Sequence, residues 1–108
     1  DYTVYVNILN KEGIRMKRSE NYVLRSLGDD FFLIPRGKKA EEIKGVLTLS
    51  ETAAFIYSNI ERIEDSEALA ELVGREYHVT EEEREEMKTD IEEVLRFFYD
   101  YGIIEAVR

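Results

Sequence analysis

The chain has 108 residues and a formal net charge of −9, from 24 acidic and 15 basic side chains. Hydrophobic residues make up 44% of it and cysteine is absent, so the sequence predicts one globular domain without disulfides, thiolate nucleophiles or thiolate metal ligands. No apolar run approaches the roughly 20 residues that span a bilayer and no secretory signal opens the chain, which predicts a cytoplasmic protein with no membrane partner.

The first half of the chain predicts β-structure, because apolar and β-branched residues alternate or cluster between glycine, proline and charged segments. The predicted strands cover residues 2–9, 22–27, 31–34 and 46–49. Gly28-Asp29-Asp30 separates the second strand from the third and predicts a hairpin, which Pro35 ends. Two segments of mixed charge, 11–18 and 36–44, are expected to be solvated loops.

After residue 49 the apolar period changes from two to 3.6, which predicts three helices. Ser50 is the expected N-cap of the first helix, and the second begins near Asp65 or Ser66. Thr80 and Glu83 predict a capping box for the third, which ends at Gly102. The apolar stripe of this third helix contains Met87, Ile91, Val94, Leu95, Phe98 and Tyr101. The predicted fold class is α+β and winged helix-turn-helix-like: a three-stranded antiparallel sheet followed by three helices, with an extra N-terminal strand.

The residues that usually carry catalysis are sparse. The lone histidine, His78, lies at a predicted helix end, where a surface or capping role is expected. Asp29 and Asp30 fall in the hairpin turn, and the six glycines are scattered, so no phosphate-binding loop is present. We therefore expect no enzyme activity, no catalytic residue, no metal and no cofactor.

The charge of the third helix disfavours nucleic acid as a partner. A DNA-reading helix exposes Arg, Lys, Asn or Gln, whereas residues 81–86 read Glu-Glu-Glu-Arg-Glu-Glu. These acids are expected to stabilise the helix through its dipole and to keep the domain soluble; the alternative is that they bind a cation or a basic partner. A strand edge beside this helix would suit capture of an extended peptide, unless the N-terminal strand or a second copy covers the edge.

Several motifs resemble those of the PqqD-like family, which includes the pyrroloquinoline quinone synthesis protein D and the recognition elements that bind ribosomally made precursor peptides. Leu49-Ser50-Glu51-Thr52-Ala53-Ala54-Phe55-Ile56-Tyr57 resembles the family signature, with Ser50 and Tyr57 where Asn and Trp are common. Residues 94–105, which contain Gly-Ile-Ile-Glu, resemble its closing pattern. Residues 69–72 and 77–79 fit the stretch between them. The resemblance covers residues 16–105, which leaves 1–15 as an extension ahead of a domain at 16–108.

The resemblance implies a non-catalytic role in the synthesis of a peptide natural product or of pyrroloquinoline quinone. Such domains bind a leader peptide as an added strand and deliver it to a modifying enzyme, often a radical SAM enzyme. The implied peptide-binding residues are Val46, Leu47, Thr48 and Leu49 on the third strand, and Arg84, Met87, Lys88, Ile91 and Leu95 on the third helix. The net charge and residues 81–86 suit a leader that carries Lys or Arg.

Three points stay open at the level of sequence. Residues 1–15 would occupy the cleft as an internal leader mimic, add to the opposite edge, or swap into a second copy to form a homodimer. A transcriptional regulator with the same fold and a purely structural dimerisation module are the alternative functions. The precursor peptide and the modifying enzyme are not identified by the sequence.

Overall fold

The computed structural model describes residues 13–107. The strands are β1 (Arg15–Arg18), β2 (Tyr22–Leu27), β3 (Asp30–Pro35), β4 (Leu47–Leu49) and β5 (Ile104–Val107). The helices are α1 (Lys38–Glu42), α2 (Glu51–Asn59), α3 (Ser66–Glu76) and α4 (Arg84–Asp100), with short 3-10 turns at Ile60–Arg62 and Glu81–Glu83. The predicted α+β class, with a three-stranded antiparallel sheet followed by three long helices, is confirmed. The strand predicted at 2–9 lies outside the described residues.

The hairpin of β2 and β3 turns where the sequence predicts. Leu27 pairs with Asp30, so Gly28 and Asp29 alone form the turn. Gly28 has a φ of 63°, the positive value that such a tight turn needs and that glycine adopts at little cost. The position of the hairpin is therefore fixed by local turn chemistry.

β4 completes the sheet by pairing antiparallel with β3, which gives the order β2-β3-β4. Every second residue faces the helices, as the two-residue period of a strand requires. On this inner face Tyr22, Leu33 and Leu49 are at most 5% exposed. The outer face carries Phe32 opposite Thr48. The sheet thus has one side in the core and one side toward solvent.

A two-stranded ribbon of β1 and β5 joins the two ends of the described chain, with Met16 opposite Ala106. Met16 and Ile104 are 3% and 2% exposed, so the ribbon contributes to the core. The prediction of a solvated loop over 11–18 is therefore wrong for β1. Its partner lies at the other end of the sequence, and local charge patterns do not reveal such a pairing.

The second charged segment also departs from the prediction, because α1 lies within the predicted loop 36–44. Gly37 precedes this helix with a φ of 60°, and Lys39 forms an ion pair with Glu42 at 3.2 Å. No residue of α1 is buried. One short turn of helix without an apolar stripe leaves little periodic signal to recognise.

The predicted caps of the three long helices are confirmed. Ser50 Oγ accepts a hydrogen bond from the N–H three residues later at 3.1 Å, and a carboxylate oxygen of Asp65 does the same at 2.8 Å. Thr80 and Glu83 form the capping box before α4. Gly102, with a φ of 66°, follows α4 as expected. These local signals define where each helix begins and where α4 ends.

The hydrophobic core lies between the inner face of the sheet and the three long helices. The buried stripe of α4 contains Met87, Ile91, Leu95 and Phe98. Phe98 is fully buried, and its ring makes an edge-to-face contact with the ring of Tyr57 from α2, with centroids 5.9 Å apart. This packing fixes α4 against α2, and α2 follows directly after β4.

None of the described helices combines the length and the apolar character needed to cross a membrane.

Candidate functional site

β4 is an edge strand. It pairs with β3 on one side, and no described residue pairs with it on the other. An edge of this kind presents backbone donors and acceptors that an additional strand can use. The residue that presents them follows from the hydrogen-bond pattern of the hairpin.

The hairpin pattern assigns the outward-facing groups to Thr48. The Arg36 N–H donates to the Asn21 carbonyl at 2.8 Å, which makes these two residues a hydrogen-bonded pair. Such pairs alternate along an antiparallel ladder, so even-numbered β3 residues bond to β2 and odd-numbered ones bond to β4. In β4, the backbone N–H and C=O groups of Leu47 and Leu49 therefore point to β3, whereas those of Thr48 point to the free edge.

A groove of about 470 Å³ lies beside this edge. Residues 48–50, 52 and 53 form one wall, from β4 and the start of α2. Asp90, Glu93, Val94 and Phe97 of α4 form the other. Its size is within the range of about 300–1,000 Å³ that is typical of ligand sites.

The groove is formed by a face of α4 that adjoins the buried stripe. Positions 90, 93, 94 and 97 follow the 3-4 spacing of one helix face, offset by one or two residues from the core positions. Val94 and Phe97 are half-buried and leave apolar surface in the groove. The Phe97 ring packs against Phe98 and Tyr101, with centroids 5.9 Å and 4.9 Å away. Val94 and Phe97 form the apolar floor of the groove, and the two neighbouring aromatic rings hold the Phe97 ring in place.

A second cavity of about 220 Å³ lies further toward the start of α4. It shares Thr52 and Asp90 with the groove, so the two are neighbours along the helix. Met87 and Ile91 line it from α4, and Tyr77 lines it from the end of α3. Burial raises the pKa of the Tyr77 hydroxyl, while a hydrogen bond with Thr52 opposes that shift. This hydroxyl is therefore neutral at physiological pH and able to donate.

The two cavities are acidic. Asp90 and Glu93 lie in the groove, and Glu83, Glu86 and Asp90 lie in the second cavity. Hydrogen bonds from the Thr80 backbone N–H and hydroxyl hold the pKa of Glu83 below its usual value, so this carboxylate is committed to the helix cap. Among residues 13–107, no lysine or arginine lines either cavity.

The cations of α4 form ion pairs outside the groove. Arg84 contacts Glu67 of α3 at 2.9 Å, and Lys88 contacts Glu85 at 3.9 Å. Arg96 pairs at 2.8 Å with Glu92, one turn earlier on the same helix. Within residues 13–107, no cationic side chain lies within ion-pairing distance of the groove carboxylates.

The structure brings two of the four predicted strand residues to the groove. Thr48 and Leu49 line it, and Leu49 is 5% exposed. Leu47 is half-buried on the inner face of the sheet, and Val46 is half-exposed just before β4 begins. Their role in binding stays a prediction, which the geometry narrows to Thr48 for backbone contacts.

The predicted helix residues divide differently. Met87 and Ile91 line the second cavity. Leu95 is 2% exposed and lines neither cavity. Arg84 and Lys88 are half-buried and occupied by the ion pairs described above. The most apolar stripe of α4, to which the predicted apolar residues belong, is buried in the core.

The groove residues that the sequence argument missed are Asp90, Glu93, Val94 and Phe97. The sequence predicts Val94 only as part of the apolar stripe. A signal was present, because a second 3-4 pattern that mixes two apolar and two acidic positions runs beside the core stripe. Such a mixed face is typical of a partly exposed groove.

The lone histidine ends α3. His78 is exposed, has a φ of 52°, and follows the last turn of the helix. The Val79 N–H donates to the Gly74 carbonyl at 2.9 Å, which is the six-to-one bond of a Schellman motif. Among the described residues, no group of three or more carboxylate, imidazole or thiol side chains could hold a metal ion.

Comparisons of the chain with models of protein families, with curated proteins and with solved structures give no match. The resemblance to the PqqD-like family therefore rests on the motifs quoted above.

Proposed function

We propose that this chain binds an extended precursor peptide as a strand added to β4 and presents it to a peptide-modifying enzyme. The observation that carries the proposal is the outward-facing backbone of Thr48 next to a groove with an apolar floor. Backbone hydrogen bonds at a sheet edge provide affinity, and the adjoining groove selects alternate side chains of the added strand.

The geometry favours binding of moderate strength. Thr48 offers one donor and one acceptor, at about 1 kcal/mol net for each hydrogen bond. An apolar side chain buried on Val94 and Phe97 adds about 1.5–3 kcal/mol. The ordering of the peptide opposes these gains. A reversible complex suits a protein that passes its peptide to an enzyme.

In this proposal the chain carries out no chemical step itself. It acts in the cytoplasm, where the ribosome makes the precursor, and its partner is a radical SAM enzyme or another peptide-modifying enzyme. The motif resemblance supports the choice of partner, and the edge and the groove support the mode of binding. The acidic face of α4 opposes the alternative of a DNA-binding regulator, because phosphates would meet Asp90 and Glu93.

The test is a titration of the isotope-labelled chain, followed by amide NMR shifts. The probe is the peptide encoded by the short reading frame nearest to the gene of this chain. We expect shifts at residues 46–49 and 90–97, and tighter binding by a chain shortened to 13–108 if residues 1–12 compete for the groove. An absence of shifts in both chains would refute the proposal, and retardation of duplex DNA at physiological salt would favour the regulator.

Self-association is a second candidate, favoured by the outer face of the sheet. Leu27, Ile34 and Val46 are 76%, 39% and 50% exposed, which places apolar surface on the side away from the helices. A second copy could cover it. Sedimentation velocity tests this candidate: a dimer that Ile34→Asp dissociates would support it, and a monomer at high concentration would refute it.

A further inference from the structure

We infer that the added strand carries a lysine or arginine whose charge meets Asp90 and Glu93, two positions from an apolar residue seated on Val94 and Phe97. This inference rests on the proposed function and specifies the chemistry of its peptide. It is drawn from the charge and the spacing of the groove rather than from the motif resemblance.

The first anchor of the added strand, its basic side chain, follows from charge complementarity. The groove holds two carboxylates at Asp90 and Glu93, and both residues are exposed. Each cation of α4 is paired with a carboxylate elsewhere, on Glu67, Glu85 or Glu92. The two groove carboxylates therefore repel each other and any acidic peptide. A single basic side chain that contacts both would compensate half of their charge and relieve the repulsion between them.

Spacing identifies the second anchor. The midpoints of the acidic pair and of the apolar pair lie four helix positions apart, which corresponds to about 6 Å along α4. Side chains on one face of a strand repeat every second residue, at about 6.6–6.8 Å. A strand that runs along α4 therefore places one inward side chain at the acidic pair and its neighbour on the apolar pair. The expected pattern is basic-x-apolar or the reverse, according to strand direction.

The acids that are expected to act in binding lie outside the most acidic part of the sequence. The most acidic segment of the sequence, 81–86, meets the groove at no position. Glu81 and Glu82 are exposed and lie outside both cavities. They provide a matched control, because Glu81→Gln with Glu82→Gln removes two charges from the same region without altering the groove.

The experiment is selection from a display library of random 12-residue peptides against the full chain at physiological salt. We expect the selected peptides to share a lysine or arginine two positions from an apolar residue. The selected peptides are then titrated against the D90N/E93Q double variant and the E81Q/E82Q control. We expect about 4- to 25-fold weaker binding to the first, from about 2- to 5-fold per exposed ion pair, and less than 2-fold change for the control.

Each outcome bears on one proposal or on both. Selected peptides that share no basic position, or that bind D90N/E93Q as tightly as the natural chain, would overturn the inference while leaving strand addition intact. Equal losses in both double variants would also overturn it, because long-range charge alone would then explain the effect. Selected peptides whose affinity is unchanged by Thr48→Pro would overturn the proposed function itself, as would a selection that enriches no peptide.

Discussion

Thr48→Pro is the sharpest test of strand addition, because it alters only the outward side of β4. Proline has no N–H, and its ring occupies the space beside the free edge. Leu47 and Leu49 keep their hydrogen bonds to β3, and proline is tolerated in edge strands, so the fold should be retained. The missing N–H removes one backbone hydrogen bond, and the ring hinders the second, which the carbonyl would accept; at about 1 kcal/mol each the loss is about 1–2 kcal/mol, or roughly 5- to 30-fold in Kd.

Isothermal titration calorimetry with the peptide that shifts the amide signals measures this loss. Thr48→Val is the matched control, since it removes the hydroxyl and keeps both backbone groups; its Kd should stay within about 2-fold, because the exposed hydroxyl contributes little. Thermal unfolding of both variants checks that the sheet is intact. If Thr48→Pro unfolds like the natural chain and still binds the peptide with an unchanged Kd, the peptide does not add to β4.

Three further predictions concern stability. His78→Gly should raise stability by about 0.5–1 kcal/mol, seen as a higher Tm, because His78 adopts a positive φ that glycine prefers; an unchanged or lower Tm would contradict this. Leu95→Ala should cost about 2–5 kcal/mol in denaturant unfolding, as a core position would, whereas a groove position would cost less. Glu61→Gln should cost about 0.5 kcal/mol at neutral pH, after allowance for solvent screening.

The Glu61 effect carries a defined pH dependence. A hydrogen bond from the Arg18 backbone N–H, together with the Arg18 side chain, holds the pKa of Glu61 below its ordinary value of 4.5. A carboxyl group whose pKa is lowered by folding stabilises the fold fully above its unfolded pKa. This contribution is lost as the pH falls through the folded-state pKa. The stability difference between Glu61→Gln and the natural chain should therefore vanish in acid; a constant difference would contradict the assignment.

The parts of the fold that the sequence predicts are those determined by neighbouring residues. Ser50 and Asp65 cap their helices with their own side chains, Thr80 and Glu83 form a capping box, and Gly28 and Gly102 supply the positive φ values at two chain reversals. Each interaction joins residues no more than a few positions apart. A local pattern is therefore enough to predict them.

The β1–β5 ribbon depends on an interaction of a different kind. β1 reads Arg-Met-Lys-Arg, with one apolar residue among three cations, which is typical of an exposed segment. It becomes a strand because β5 provides its hydrogen-bond partners and because Met16 is buried against the core. The tertiary contact overrides the local preference. No pattern within the segment itself indicates that partner.

The candidate site shows the same division at the level of a single helix. Apolar periodicity finds the stripe that contains Leu95, which is the side of α4 with the largest apolar area and therefore the side that is buried. A binding face has to remain partly exposed, so it falls on the neighbouring 3-4 row, where the acidic pair Asp90 and Glu93 is followed by the apolar pair Val94 and Phe97. Which neighbouring row borders the edge of β4 depends on the angle at which α4 packs against α2 and the sheet. That angle is a property of the packed core, which is why the strand half of the site could be predicted more closely than the helix half.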